Sequence, residues 1–257
     1  MRLRTLSSNC ALIKPLDQMA SMHFTSRNIG IKTYIINTIQ AFFHSGSLFK
    51  PLNHTYITLI PKNPFPNDVT HFRHISLCNV VYKFISKLLV NRLKPFMDSI
   101  ITPYQNAFIQ GRNISDNILI THEILDILKK KKGRKNCFGV LKIDMSKVYD
   151  RVNWNFLKAM LIAMKFDPKW ITWIMECVTS IHYTLLVNGN LKKSFKPSKG
   201  LRQQDPLFPY LFLMCANILS ISLLQAKRSN LIKGVEVGRN GCAFTHLLFV
   251  DDSLLFF

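Results

Sequence analysis

Three aspartates stand directly beside apolar segments, where an ionised carboxylate is hardest to accommodate. Asp251 and Asp252 interrupt the run LLFVDDSLLFF, and Asp144 follows the apolar segment 138–143. This placement is restrictive because the chain holds only 14 acidic residues. An ionised carboxylate is costly to bury without a compensating partner. The fold must therefore bring these side chains to strand ends or turns, where water or a cation can reach them.

The simplest explanation of Asp251-Asp252 is a hairpin, with both residues in an exposed two-residue turn and no chemical role. That explanation leaves out Asp144, which ends a separate predicted strand over Phe138–Asp144 that we expect to be buried and central. Three carboxylates at strand ends predict a divalent-metal site instead. Mg²⁺ prefers such oxygens together with substrate phosphates, and two such ions suit nucleotidyl transfer.

The charge balance indicates an acidic partner. The chain has 34 Lys and Arg and a formal net charge of +20, a surplus that favours polyphosphate binding. The longest apolar stretch, 207–224, is interrupted by Pro209 and Asn217, so we interpret it as a buried helix and expect no membrane span. There is no CxxC pair, GxSxG, HExxH or Gly-rich phosphate loop. Zinc sites, hydrolases and Walker-type ATPases are therefore disfavoured.

The apolar periodicity predicts alternating strands and helices, and hence a mixed α/β fold. The predicted elements are a strand over Tyr56–Ile60, a helix from Ser76, a helix from Ile118 capped by Ser115-Asp116-Asn117, a strand over Phe138–Asp144, helices over Asn153–Lys165 and after Asp167-Pro168, a hairpin at Asn188-Gly189, and a long helix from Asp205-Pro206 to about Lys227.

Three segments, LKIDMSKVYDRVNW, KGLRQQDPLFPYLFL and FVDDSLLF, resemble in order and spacing the catalytic motifs of reverse transcriptases. The upstream segments LNHTYITLIPK, FRHISLCNVVYKFISKLLVNRLKP and QNAFIQGRNISDNIL extend the resemblance over roughly residues 50–257. It is closest to plant non-LTR (long interspersed) retrotransposons. The resemblance implies a fingers region over 51–136 and a palm over 137–257, with an antiparallel sheet backed by helices. A poorly defined segment, 1–50, precedes them.

The resemblance also implies roles for individual residues. The metal ligands would be Asp144, Asp251 and Asp252, holding two Mg²⁺ ions or, alternatively, Mn²⁺. The residues that contact the incoming nucleotide would be Arg73 and Lys62 at the triphosphate, Tyr149 against a ribose 2′-hydroxyl, and Gln203 at the template pair. The residues that contact nucleic acid would be Arg202, Lys199, Lys83 and Lys87. The implied partners are an RNA template, a DNA primer and deoxynucleoside triphosphates, in the nucleus or cytoplasm.

Five residues depart from the family pattern. His74, Val148, Gln204, Phe208 and Val250 stand where the family usually has Pro, Ala, Gly, Ser and Ala. Gln204 matters most, because Gly there permits a positive φ or a close backbone approach. Val250 is expected to fit a strand.

The sequence stops shortly after Asp252, so the resemblance implies an incomplete palm, no thumb and no preceding endonuclease domain. We expect this stretch by itself to show weak or no polymerase activity. The alternatives are a non-catalytic, nucleic-acid-binding retroelement relic and a decayed fragment without a selected role.

Overall fold

A computed structural model of the chain describes residues 29–130, 139–145, 148–238, 241–250 and 252–257. The mixed α/β class predicted from the sequence is confirmed. The helices are α1 (Ile29–Ser45), α2 (Val80–Ile100), α3 (Ile114–Lys130), α4 (Val148–Arg151), α5 (Trp154–Ala163), α6 (Pro168–Thr179) and α7 (Phe208–Arg228). The strands are β1 (His54–Pro61), β2 (Phe72–Leu77), β3 (Val140–Asp144), β4 (His182–Val187), β5 (Asn190–Leu191), β6 (Val235–Val237), β7 (Cys242–Phe244), β8 (His246–Phe249) and β9 (Asp252–Phe256).

The chain forms two compact units, each assembled from two separated stretches. Unit 1 combines the residues up to Arg92 with Tyr149–Phe208, and unit 2 combines Leu93–Val148 with Pro209–Phe257. Each unit therefore takes residues from both sides of the boundary at 136. The assignment of 51–136 as fingers and 137–257 as palm stays a prediction.

Unit 1 is centred on a four-stranded sheet with the order β2-β1-β4-β5. β1 pairs antiparallel with β2 and parallel with β4. β4 and β5 form a hairpin whose turn residues, Asn188 and Gly189, have φ of 51° and 77°. Both values suit a type I′ turn, so the predicted hairpin is confirmed.

Capping side chains fix where the helices of unit 1 begin. The Asn153 carboxamide oxygen accepts from the Asn155 N–H at 2.8 Å ahead of α5. Asp167 accepts from the Lys169 N–H at 2.8 Å, with Pro168 in the first turn of α6. These caps satisfy N–H groups that have no partner within the helix, and both helix starts agree with the prediction.

The strand β2 was not predicted from the sequence. Its residues, FRHISL, place Arg73 and His74 side by side and show no clean apolar alternation. The strand forms because β1 supplies its hydrogen-bonding partner. The next helix, α2, begins only at Val80, and the Asn79 side chain accepts from the Val81 N–H at 2.9 Å.

Unit 2 contains a three-stranded antiparallel sheet, β3-β9-β8, and a two-stranded sheet, β6-β7. Its core joins α3 to three strands through the buried side chains of Ile124, Val235, Leu247 and Phe256. The sheet therefore rests on a helix through its inward face.

The strand β3 lies at an edge of this sheet as the structure describes it, and β9 takes the central position. Val140 and Leu141 are 38% and 46% exposed. The prediction of a buried central strand ending at Asp144 was therefore wrong about burial and position, although a strand does end at Asp144. A continuous apolar run does not reveal which strand will have two neighbours.

The long helix α7 is apolar and long enough to cross a membrane by length and composition alone, with 44% of its most apolar window buried in the protein. Asn217 and Ser220 are buried within it. The Asn217 side chain accepts from the Thr102 N–H and donates to the Ile100 carbonyl, both at 2.9 Å. These contacts are those of a core helix, as the sequence indicates.

The helix α3 begins at Ile114, earlier than predicted. Ser115, Asp116 and Asn117 therefore lie in its first turns and do not precede it, so the predicted cap was wrong. Asn117 is 1% exposed, and its side chain bonds to groups outside the helix.

Candidate metal centre

The sheet of unit 2 places two of the three predicted metal ligands opposite each other. Asp144 ends β3, Asp252 begins β9, and the antiparallel register pairs them directly. Directly opposed residues point to the same face, with Cβ atoms roughly 5 Å apart. Asp144 is exposed and Asp252 is partly exposed. Because like charges so placed repel each other, the position favours a cation.

Lys142 supplies part of the compensating charge. Its Nζ lies 3.3 Å from Oδ1 of Asp252, and its side chain is 63% exposed. An ion pair this exposed contributes at most about 1 kcal/mol and can be displaced. Solvent-accessible carboxylate oxygens are the ligands that Mg²⁺ and Mn²⁺ prefer. The donor set therefore fits a hard divalent cation.

Asp251, the third predicted ligand, lies outside the described residues. Within the parts of the chain that the structure describes, no group of three His, Cys, Asp or Glu side chains could hold a metal ion. A three-carboxylate site therefore depends on Asp251 joining Asp144 and Asp252, and it stays a prediction.

The hairpin that carries Asp252 turns one residue earlier than an Asp-Asp turn requires. Phe249 pairs with Asp252, so Asp252 lies in the paired strand and Val250 lies in the connection. Val250 has φ of 59°, in the left-handed region that β-branched residues rarely adopt. The expectation that Val250 continues a strand was therefore wrong, and so was the simple Asp251-Asp252 turn. Asp252 belongs to the strand itself.

Lys62 and Arg73, which were predicted to grip a triphosphate, lie at the tip of the β1-β2 hairpin in unit 1. Arg73 is opposite Ile60, and the Lys62 N–H donates to the His71 carbonyl at 2.8 Å. This register points both cationic side chains to the same face, and both are exposed. The Lys62 ammonium also donates to the Thr70 carbonyl at 3.0 Å. The two predicted residues are thus brought together.

Arg202 was predicted to contact phosphate, but the structure buries it at 5% exposure in unit 1. Its Nη1 donates to Oγ1 of Thr55 at 2.7 Å, and its Nη2 lies 3.4 Å from Oδ2 of Asp205. The guanidinium also stacks on the Tyr82 ring, 3.8 Å from its centroid. Because these contacts hold the side chain inside the protein, the predicted phosphate contact was wrong.

Asp205 is the centre of this buried cluster, which sequence reasoning missed. It accepts hydrogen bonds from the Tyr82 hydroxyl, the Ser86 hydroxyl and the Leu207 N–H. Burial, with a contribution from Asp205, raises the pKa of Tyr82 well above its ordinary value, so the phenol stays protonated and donates. The available sequence signal was an Asp three residues after an Arg, directly before the apolar stretch 207–224.

The cluster anchors the loop that contains Gln203 and Gln204. Gln203 is half-buried, and Gln204 is exposed with φ of 66°. The positive φ that Gly would permit is therefore reached by Gln, at a cost of about 1–2 kcal/mol. Gly200, which opens the loop, has φ of 92° and approaches the Asp150 backbone so closely that a Cβ would lie 3.0 Å from its carbonyl oxygen.

The remaining predicted residues are on or near the surface. The Tyr149 ring packs on Phe208 with centroids 4.5 Å apart, which fixes its orientation within unit 1. Lys83 and Lys199 are exposed, and Lys87 is half-buried. Nothing in these positions conflicts with the predicted roles.

Unit 1 also has a groove of about 670 Å³ that the sequence did not predict. The parallel register of β1 and β4 sets His54 beside His182. Tyr56, which is 41% exposed, follows on the same face, and Lys50 supplies a positive charge at the rim. The groove could not be predicted from the sequence, because these residues are brought together only by the pairing of β1 with β4.

Comparison with known proteins gives a family match. The family described as "Reverse transcriptase (RNA-dependent DNA polymerase)" matches residues 60–257. An uncharacterised 149 kDa protein of transposon TX1 from Xenopus laevis is 27% identical over 170 residues, covering 66% of this chain and 13% of that protein. The retrovirus-related Pol polyprotein of the type-2 retrotransposable element R2DM from Drosophila melanogaster is 26% identical over 228 residues, covering 88% of this chain and 20% of that one.

A solved structure agrees at the level of fold. Telomerase from Candida tropicalis, in complex with a fragment of telomeric RNA, superposes with a TM-score of 0.54 at 13% identity, covering 86% of this chain and 38% of that chain. The chain therefore spans a minor part of the length of these relatives.

Proposed function

Because this chain belongs to the reverse transcriptase (RNA-dependent DNA polymerase) family, we propose that it contributes the catalytic carboxylates and the nucleotide-binding surface for DNA synthesis on an RNA template. The observation that carries the proposal is the direct pairing of Asp144 with Asp252 at the open end of the unit 2 sheet. Opposed carboxylates repel each other, so a bound cation would stabilise the pair, and a polymerase of this family provides the reason for one.

The proposed metal ligands are Asp144, Asp252 and Asp251. When bound, two Mg²⁺ or Mn²⁺ ions would activate the primer 3′-hydroxyl and stabilise the leaving pyrophosphate. Lys142 lies beside these ligands, with its Nζ 3.3 Å from Oδ1 of Asp252. Since that pair is exposed and weak, Lys142 can release Asp252 when a cation arrives.

Arg73 and Lys62 are proposed to bind the triphosphate of the incoming nucleotide. Their side chains leave one face of the β1-β2 hairpin tip, so they present two positive charges to one anion. The planar guanidinium of Arg73 can bind two phosphate oxygens at once, whereas Lys62 acts as a point charge. Tyr149 is proposed to exclude a ribose 2′-hydroxyl, and Gln203 to contact the template pair.

The nucleic-acid backbone is proposed to follow the exposed lysines and the groove of unit 1. Lys83 and Lys199 are exposed and Lys87 is half-buried, all without an acidic ion-pair partner among the described residues. The groove adds an aromatic surface at Tyr56 and the rim cation Lys50, a combination that suits stacked bases and phosphates. The net charge of +20 supports this partner.

A plant-type non-LTR retrotransposon is the proposed origin. The support is the resemblance of the segments that contain Asp144, Gln203 and Asp252 to the motifs of such elements. Of the two reasons for expecting a conflict at Gln204, the need for a positive φ is met, because Gln204 has φ of 66°; the close backbone approach stays a prediction.

Primer extension tests the proposal. The chain would be incubated with an RNA template, a DNA primer, deoxynucleoside triphosphates and Mg²⁺, beside the variants Asp144→Ala and Asp251→Ala. Asp116→Ala is the matched control, because Asp116 is exposed in unit 2 but lies in α3. We expect weak, Mg²⁺-dependent extension by wild type and D116A, in keeping with the low activity expected of this stretch by itself, and no extension above background in D144A and D251A.

Metal-independent or equal extension by all four proteins would contradict the proposed site. Salt-sensitive RNA binding without any extension would instead support the alternative of a nucleic-acid-binding relic, in which the basic surface persists and the carboxylates no longer work.

A further inference from the structure

Asn117 connects three segments of unit 2 beside the hairpin that carries Asp252. Its Nδ2 donates to the carbonyls of Leu248 at 3.1 Å and Tyr104 at 3.3 Å. Its Oδ1 accepts from Nδ2 of Asn106 at 2.8 Å. The side chain is 1% exposed, so these bonds form in the interior, where the Leu248 carbonyl depends on the Asn117 donor.

These bonds close the outer edge of β8. The Leu248 N–H donates to the Tyr104 carbonyl at 2.9 Å, and the Leu248 carbonyl accepts from Asn117. Gln105 forms a parallel bridge with Leu248. Both backbone groups of Leu248 therefore point away from β9. The Tyr104 carbonyl and the Asn117 side chain therefore supply the hydrogen bonds that a further strand would supply in a larger sheet.

Two neighbouring rows of directly opposed residues cross the sheet. One starts at Leu248, which Asn117 contacts, and the other contains the carboxylates. Leu248 is opposite Ser253, and Ser253 is opposite Ile143. The next row holds Phe249, Asp252 and Asp144 in the same order. In the first row, Leu248 and Ser253 are buried at 1% and 0% exposure and Ile143 is half-buried, whereas both aspartates of the second row reach solvent. A shift of Leu248 is therefore passed to both aspartates through one residue of each strand.

We infer that Asn117 is a positioning residue for the metal-binding carboxylates and acts through β8 and β9. Its role goes beyond filling space, because the amide supplies two donors, to Leu248 and Tyr104, together with the acceptor for Asn106, whereas a hydroxyl or a carboxyl group has at most one donor. The catalytic consequence rests on the proposed function. The structural part, that Asn117 holds the hairpin, does not.

Asn117→Asp is the sharpest test, since it keeps the shape but replaces an NH₂ group that donates two hydrogen bonds with an oxygen that donates at most one. The matched control is Thr121→Val in the same helix, which removes the hydroxyl bond from Thr121 to the Asn117 carbonyl at 2.8 Å and leaves the Asn117 side chain. Three quantities are measured on the full chain: amide hydrogen exchange over 246–256, the Kd for Mn²⁺ by paramagnetic resonance, and the kinetics of primer extension.

We expect N117D to speed hairpin exchange and to raise the Mn²⁺ Kd by about tenfold, as loss of a ligand-orienting partner does elsewhere. The kcat should fall while KM for the nucleotide stays within about twofold, because the triphosphate contacts are unchanged. T121V should leave all three quantities at their wild-type values.

Unchanged exchange and unchanged Mn²⁺ affinity in N117D would overturn the inference, even if thermal stability fell. If wild type binds no Mn²⁺, the proposed function fails by itself, and hydrogen exchange still decides whether Asn117 holds the hairpin. Should N117D fail to fold, Asn117→Ser provides the same comparison with a smaller polar side chain.

Discussion

Replacing Asp205 with Ala should lower the stability of unit 1 more than any substitution at its surface. Asp205 accepts hydrogen bonds from Tyr82, Ser86 and Leu207, and its carboxylate lies 3.4 Å from the Arg202 guanidinium. The Arg202 side chain is only 2% exposed, so it cannot regain water when its partner is removed. D205A leaves a buried positive charge with Thr55 and the Tyr82 ring as its remaining contacts.

Removing one member of a buried ion pair typically costs about 3–5 kcal/mol. For a chain of this size, each kcal/mol corresponds to roughly 2–4 °C in Tm, so the expected drop is roughly 6–20 °C. The loss should be larger than that of any single hydrogen bond, which contributes about 1 kcal/mol. Thermal unfolding followed by circular dichroism, with urea unfolding at 25 °C, measures both quantities.

The double variant Arg202→Met with Asp205→Leu is the control. It removes both charges and fills the volume with apolar side chains, so it should recover the part of the D205A loss that comes from the unpaired Arg202 charge. The hydroxyls of Tyr82 and Ser86 still lack their acceptor in this variant. A loss below about 1 kcal/mol in D205A, or a double variant no more stable than D205A, would refute the assignment of a buried ion pair.

Three further predictions concern the pH response and the backbone. Burial lowers the pKa of His246 to about 4, so as the pH falls the unfolded chain takes up a proton at this residue before the folded chain does. Urea titrations should therefore show stability falling by roughly 3 kcal/mol from about pH 6.5 to pH 4. The variant His246→Gln should flatten this dependence of stability on pH. Gln204→Gly should raise the unfolding free energy by about 0.5–1 kcal/mol, because it relieves a φ of 66°, and a lower Tm would contradict this. Gly200→Ala should cost more than about 2 kcal/mol in the same assay, since its Cβ would lie 3.0 Å from the Asp150 carbonyl. Gly189→Ala, at φ of 77° in open space, is the control and should cost about 1 kcal/mol.

Local signals in the sequence predicted the elements that depend on neighbours in the chain. Asn188-Gly189 specified its hairpin, and Asp167-Pro168 specified the start of α6. Both rest on backbone preferences and capping bonds that act over a few residues. The motif order also identified the family, because several segments in sequence are more specific than any one of them.

Features that depend on distant partners were not predictable. The sequence shows that Arg202 is basic but not that Thr55 and Asp205 enclose it. The exposure of β3 follows from its edge position, which depends on β9. Asn117 read as a helix cap because Ser, Asp and Asn favour that role locally, whereas its partner Leu248 lies 131 residues away.

The candidate site was predicted in part. Asp144 and Asp252 lie opposite each other because Asp144 ends β3, Asp252 begins β9, and these two strands pair antiparallel. No pattern in the sequence predicted that Lys142 compensates their charge, although it stands two residues before Asp144 on the same face of the strand. Lys62 and Arg73 were predicted singly, and β2 is what sets them on one face.

Because β1 pairs with β4, β1 is synthesised on the ribosome long before the strand that it pairs with. His54 and Thr184 bond across these strands although 130 residues separate them. At about 5–20 residues per second, β1 would wait on the order of ten seconds before its partner is translated. During that interval one edge of the β1-β2 hairpin is open to other nascent chains. Slower translation upstream of β4 would lengthen this exposure, so codon choice between these strands should influence how much of the protein is recovered in soluble form.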